Sequence, residues 1–344
     1  MLVAGGTIYG AIKCIFLTVV KQQKLLTLDQ INSRIKEFPY GEAEAGSKPT
    51  SYRTVKPSCD IKLKSIETLI LFRTLPFILH DILDPDSLCW KIYFQLASIV
   101  DIVFAPAVDI EWPFELETLI QDFYTLVLSG LRSGITKHLV RPKLHYLLHY
   151  PRLLKKYGNF RALYCLRFES FHTIVKNIVR AAKNCRNITH TCANRIQLIK
   201  LYEAKDDLAG PDEFSSGRLL TVPSLDSVLK TMIRDAYPQA DNVIEYKQCK
   251  VSGMAFTSNA VYLDPDKNFV QAKAFFWLPS VKKLICYGKK IVLLFFERKF
   301  HSYKVSVTET DVAWFYQGHQ SYHLQTLYKV DGCKYLRLRY RIVM

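Results

Sequence analysis

Hydrophobic positions come in long blocks at the start of this chain and in alternation near its end. Leu2 to Val20 is nineteen mostly apolar residues, interrupted by Lys13 and loosened by three glycines. With no basic run before it, that stretch reads as a buried helix rather than a membrane span or a signal segment. Thr27 and Gln30 have the spacing of a capping box, so a second helix is predicted to about Phe38, where Pro39 stops it. The stretch 40–57 is rich in Gly, Pro, Ser, Glu and Lys and reads as surface loop. Helical spacing returns over Leu63–Leu83, with Pro76 as a kink or break, then over Asp86–Phe104 and Phe114–Leu131. In Arg167–Lys183, Phe168, Phe171, Ile174, Val175, Ile178 and Ala182 form a stripe expected to be buried, while Glu169, His172, Lys176, Arg180 and Lys183 line another face.

The pattern changes after Tyr202. Glu203 to Pro223 is acidic and rich in small and turn-forming residues, a linker by composition, and Ser224 is expected to cap a helix to about Ala236. Beyond that the period is two. Ile291–Phe296 and His301–Val307 read as strands, and Tyr335 to Ile342 sets Leu336, Leu338, Tyr340 and Ile342 on one face against Arg337, Arg339 and Arg341 on the other. Asp264-Pro265-Asp266 and Asp331-Gly332 supply turns. The expected class is α+β: a helical region 1–205, a linker 206–223, and a helix plus a small antiparallel barrel or sandwich over 224–344. The arginine stripe is expected as a solvated face or a second nucleic-acid contact.

Charge sharpens this picture. The net charge is +16, and the segment 123–202 holds fifteen Lys and Arg against the single acid Glu169. Nearly all of the positive field therefore belongs to one segment, which expects a polyanion. Lys143, Arg152, Lys155, Lys156, Arg167, Lys176, Arg180 and Lys183 are the expected nucleic-acid contacts. Nine scattered cysteines suit a reducing compartment, nucleus or cytoplasm, better than a secreted disulfide framework.

Candidate chemistry is sparse. No glycine-rich phosphate loop and no plausible Ser-His-Asp arrangement is present in the helical block. His145 and His149, four apart, would share a helix face, but Tyr146 stands where a zinc protease helix carries its glutamate. His172, Cys185, His190 and Cys192 match no standard zinc spacing. No metal site is expected. Glu169 is either a counter-ion near a helix N-terminus or a carboxylate for metal-dependent phosphoryl transfer, and one carboxylate does not suffice for the latter.

Pro142-Lys-Leu-His-Tyr-Leu-Leu-His-Tyr-Pro151, Tyr157-Gly158, Leu166-Arg167-Phe168-Glu169-Ser170-Phe171-His172 with Lys176, and Ala193-Asn194-Arg195-Ile196-Gln197 resemble the distal part of transposases of animal CACTA-like (Enhancer/Suppressor-mutator type) DNA elements. That family runs Pro-Lys-x-His-(Tyr/Phe)-Leu-x-His-Tyr-Pro, then Phe-Gly-Pro, then Arg-Phe-Glu-x-(Lys/Phe)-His. Leu28–Tyr40 and Phe300–Val305 resemble flanking family segments. The resemblance implies a ribonuclease-H-like enzyme in which three carboxylates hold two metal ions. Glu169 would be the last of them, on a helix reached after a helical insertion. The family's Asp-x-Leu-Glu-Gly start falls on Met1-Leu2-Val3-Ala4-Gly5, so Met1 and Ala4 stand where it has acids. The chain is expected to be truncated at its N-terminus, with Glu169 vestigial and no cofactor of its own; Mg²⁺ is implied only for a complete family member. Cys185 and Cys192 fall where the family carries apolar residues.

Two functions remain open at this level. One is a catalytically inactive, transposase-derived DNA-binding protein without membrane association, and the other is a protein-interaction or scaffolding module with no nucleic-acid role.

Overall fold

The computed structural model describes residues 6–49, 54–163, 165–183, 186–205, 213–214, 216–251, 254–316 and 325–342. The side chains of 42, 43, 161, 162, 165–170 and 202–205 lie outside that description.

The first helix, α1 (Thr7–Leu17), is apolar nearly all round and buried nearly all round, and it widens into a π turn over Thr18–Gln22. Lys13, which interrupts the apolar run, is itself buried and pairs with Asp60; Tyr9 Oη also donates to Asp60, at 2.8 Å. The charge is thus neutralised where it lies, as a buried ammonium requires. Helix α2 (Leu28–Glu37) opens on the expected capping box, Gln30 N to Thr27 Oγ1 at 3.2 Å and Thr27 N to Gln30 Oε1 at 2.8 Å, and buries Ile31 and Ile35. A short α3 (Glu42–Ala45) lies in the stretch expected as loop. Helix α4 (Ser65–Ile78) takes Pro76 into its last turn, where it ends the helix rather than kinking it. Helices α5 (Leu88–Val103) and α6 (Trp112–Ser129) pack on α1 and α4 around Ile12, Ile15, Phe16, Phe72, Tyr93, Leu96, Leu116, Ile120 and Phe123. Each such fully buried side chain contributes roughly 1.5–3 kcal/mol. Among the described residues no helix is long and apolar enough to cross a membrane.

Four more helices complete the first 205 residues: α7 (Pro142–His145), α8 (Tyr150–Tyr157), α9 (Cys165–Ala182) and α10 (Ile188–Lys205). Among described residues up to 205, β pairing is confined to one isolated bridge, Val55 with Ile61.

The stretch expected as linker carries two short strands, β1 (Glu213–Phe214) and β2 (Arg218–Thr221). Helix α11 spans Ser227–Ala236, and its cap is Asp226, whose side chain accepts from Val228 N at 3.1 Å. Ser224, the expected cap, closes a 3₁₀ turn instead and donates to Thr221 O. A carboxylate at the N-terminus answers both the free N–H groups and the helix dipole, so the later residue prevails.

Nine further strands follow: β3 (Asn242–Tyr246), β4 (Gln248–Val251), β5 (Met254–Thr257), β6 (Val261–Leu263), β7 (Phe269–Leu278), β8 (Lys283–Glu297), β9 (Ser302–Phe315), β10 (Thr326–Val330) and β11 (Cys333–Arg337). All pairings are antiparallel; the large sheet runs β10-β11-β9-β8-β7-β3-β2 with β6 on β7, and β1-β4-β5 forms a small one. The sheet curls, and a bridge between Val261 and Gln325 brings β6 beside the β10 end, but it does not close. The expected barrel is therefore an open, curled sheet. Register shifts within the long β7–β8–β9 ladders supply the bend. The β10–β11 hairpin turns at Asp331 and Gly332, both with positive φ (48° and 76°), the two-residue turn that an Asp-Gly pair favours.

Helices and sheet share a core at Phe77, Phe300, Tyr328 and Tyr335, and Tyr328 Oη sits 2.8 Å from buried Glu44. The expected strand to Ile342 stops at Arg337, and Arg337 turns inward here, correcting for that residue the expectation of a solvated or nucleic-acid-binding face, while Arg339 and Arg341 lie past the strand and are half-exposed. Arg337 pairs with Asp101, Arg341 pairs with Glu115 and lies over Trp112, and the Arg339 carbonyl accepts from buried Arg73 at 2.5 Å. Strand alternation distinguishes two faces without saying which is wet, and at Arg337 the Asp101 carboxylate on α5 decides it.

Candidate nucleic-acid interface

The basic segment begins inside α6, whose inner face carries Leu116, Ile120, Phe123 and Val127. The helix stops at Gly130, where an added Cβ would come within 2.5 Å of Thr136; Thr136 Oγ1 in turn donates to Val127 O at 2.6 Å. The chain therefore doubles back tightly and delivers Pro142 to the first turn of α7.

From there to Gly158 two faces separate cleanly. Leu144, Leu147, Tyr150 and Leu154 recur every three to four residues and enter the helical core. Tyr124 Oη donates to Leu144 O at 2.6 Å and pins the segment. Lys143, His145, Tyr146, Leu148, His149, Arg152, Lys155 and Lys156 are exposed on the other side. Gly158, at φ +72°, ends α8 in the left-handed region, where a side chain would be strained. Lys155 lies over the Phe114 ring and Lys156 over Tyr157, at 5.5 and 5.0 Å from the centroids.

The His145 and His149 rings are exposed and 5.0 Å apart, edge to face. Among the described residues, no group of three or more His, Cys, Asp and Glu is placed to hold a metal ion.

On α9, Lys176 and Arg180 are exposed, as their spacing implies; Lys183 is exposed too but lies just past the helix, at φ +49°, so the helical face expected of it ends at Ala182. Glu169 and Arg167 lie in the first turns of this helix, with side chains outside the described residues. After Glu169, positions 171–201 hold no acid at all, so the described part of the helix pair adds no carboxylate to a Mg²⁺ donor set.

The expected buried stripe on α9 is only partly buried. Ile178 is 6% exposed, but Phe171 and Ile174 are 37% and 38% exposed, Val175 and Ala182 are half-buried, and Phe168 falls outside the described side chains. The reason is what α9 packs against. It pairs with α10, whose described core-facing contribution is Cys192 at 9% exposure, and neither residue joins the helical core. An apolar stripe is buried only where another element covers it, and here the cover is one narrow helix.

Electrostatically the segment is unbalanced. None of the ion pairs among the described residues takes Arg152, Lys155, Lys156, Lys176, Arg180 or Lys183. Burial, and then the charges of Lys13, Lys137 and Arg141, push the imidazole of His138 below its ordinary pKa, as a positive field does to a base.

Reasoning from the sequence missed a second charged group at the junction of helices and sheet. Ser98, Asp101, Glu115, Phe296, His301 and Arg337 line a cavity of about 240 Å³ there, and His301 Nε2 lies 2.9 Å from Asp101 Oδ2. Burial would raise the Asp101 carboxyl, but Arg337 and His301 beside it hold it down to about 2. Burial and the Arg337 charge lower His301 against the pull of Asp101, leaving its imidazole neutral near pH 7. No local motif announces this group, since its members come from opposite ends of the chain.

Comparison with protein-family models, with curated proteins and with solved structures finds no match for this chain.

Proposed function

We propose that this chain binds DNA non-specifically through the basic segment 123–202, as a catalytically inactive protein derived from a CACTA-like transposase. The observation that carries the DNA reading is the run of exposed cations Arg152, Lys155 and Lys156 on α8 and Lys176 and Arg180 on α9, which none of the ion pairs among the described residues takes. A folded chain normally sets acids beside such a run, and uncompensated cations at this density attract phosphates. In this reading the helical body corresponds to the insertion of a ribonuclease-H-like transposase, and Glu169 to the last carboxylate of its metal site. Binding consists of phosphate contacts by Arg152, Lys155, Lys156, Lys176, Arg180 and Lys183, joined by Lys143 and Arg167. No base-reading element is invoked, so affinity varies little with sequence.

The test is a titration of a labelled DNA duplex at several salt concentrations. Each neutralised phosphate contributes about −0.9 to the slope of log K against log salt, so eight contacts give a slope of about −7. A flat salt response, or no binding at low salt, removes the reading.

A further inference from the structure

Helices α9 and α10 present more apolar surface than DNA can use. Leu198 and Leu201 on α10 are 64% and 66% exposed, with Ile199 at 39% and, on α9, Phe171 and Ile174 at 37% and 38%. Scattered single exposures need no explanation, but these gather at one end of one helix pair. Consecutive helices that pack together across a short connection run antiparallel. The Phe171–Ile174 end of α9 therefore lies beside the Leu198–Leu201 end of α10. Arg195, Leu198 and Leu201 recur every three residues and share a face of α10.

Charge narrows what covers this strip. Positions 171–201 carry Lys176, Arg180, Lys183, Arg186, Arg195 and Lys200 and no acid, so a second copy would set cations against cations. DNA offers no apolar surface to leucines that contact neither base edge nor stacked ring. A bilayer requires a broad apolar face, whereas Phe171, Ile174 and Ile199 are half recessed and only Leu198 and Leu201 stand proud. A partner helix, apolar on one side and acidic along its borders, answers both features at once.

We propose that the α9–α10 strip is a docking site for an acidic amphipathic helix of another protein. Leucine-type side chains of the partner pack on Phe171, Ile174, Leu198 and Leu201, and its carboxylates meet Arg195 and Lys200. Phe171–Ile174 and Leu198–Leu201 each span one turn, about 5 Å, so about two turns of a partner helix cover the strip and its borders. The proposal is independent of DNA binding through α7, α8 and the Lys176–Arg180–Lys183 face.

The test uses the full chain and a labelled synthetic helix of about fourteen residues with Leu at i, i+3/i+4 and i+7 spacing and Glu elsewhere. A second peptide with Gln for every Glu reports the charge contribution. The Glu peptide is expected to bind at least about tenfold more tightly than the Gln peptide. The double variant Leu198→Gln/Leu201→Gln should lose at least about tenfold in peptide affinity while its DNA affinity stays unchanged. Arg195→Glu, an exposed change on the same face, should weaken the Glu peptide and spare the Gln peptide, so the proposal does not hang on one variant. Absence of Glu-peptide binding, or binding that ignores these substitutions, overturns it. So does self-association of the wild type, or its binding to vesicles rich in anionic lipid, if Leu198→Gln/Leu201→Gln abolishes it and leaves peptide binding intact.

Discussion

Arg337 Nη1 lies 3.0 Å from Asp101 Oδ2, across 236 residues of chain, and Nη2 reaches the other carboxylate oxygen at 3.2 Å. Both side chains are buried, at 3% and 14% exposure, and this bidentate pair fastens the end of β11 to α5. A pair of this kind is weak evidence of net stabilisation, but removing one partner strands the other charge without water.

Arg337→Met is therefore expected to destabilise the chain by about 3–5 kcal/mol. Chemical denaturation read by circular dichroism measures it. A loss below about 1 kcal/mol would mean that water reaches Asp101 and that the junction is looser than its burial implies.

His301 should make stability depend on pH. Its folded pKa is lowered by burial, so at mildly acidic pH the unfolded chain binds a proton that the folded chain refuses. Its contribution is complete above the unfolded value, about 6.5, and declines as pH falls below it. Asp101, held down to about 2, adds a second loss through the ordinary carboxylate range. Denaturation midpoints measured between about pH 7 and 5 should fall, and His301→Asn should flatten that slope. Asparagine suits the test because His301 sits at φ +49°, which Asn tolerates, and its amide still donates to Asp101. His138, also lowered, accounts for slope that remains.

In the basic segment, replacing Lys176, Arg180 and Lys183 together by Gln should weaken DNA binding across sequences. The salt slope should become shallower by up to about three phosphates' worth. Thermal melting should be nearly unchanged, because these side chains are exposed. Unaltered affinity and slope would move the DNA surface away from α9.

Incubation of the chain with DNA and Mg²⁺ or Mn²⁺ is expected to give no strand cleavage or transfer, since Glu169 alone cannot hold two metal ions. Metal-dependent nicking that vanishes in Glu169→Gln would show that further acids complete the site.

Gly288 on β8 lies opposite Ala272 on β7, with no room for a side chain. An added Cβ would stand 2.2 Å from the Gln271 carbonyl oxygen, which is backbone and cannot swing aside. Gly288→Ala is expected to cost about 1–3 kcal/mol, read as a lowered denaturation midpoint. A midpoint equal to wild type would mean that the ladder opens there at little cost.

Some local elements of this protein were settled by sequence alone. Thr27 and Gln30 cap α2 because both partners lie within one turn, and Asp331-Gly332 forms its turn because both residues tolerate positive φ. The face of Leu144, Leu147, Tyr150 and Leu154 is fixed by helical spacing, which leaves Lys143, Arg152, Lys155 and Lys156 outside. What tertiary structure decided was which faces are covered. The period at Arg337 is the same whether water or Asp101 lies opposite, and only long-range packing supplies that acid and the Glu115 that pairs with Arg341 past the strand's end. The α9 stripe carries the spacing of a buried face, yet Phe171 and Ile174 stay open because α10 is its main cover. Periodicity fixes the direction of a side chain relative to its own backbone, and the neighbour it meets is set by contacts distant in sequence that no local pattern encodes.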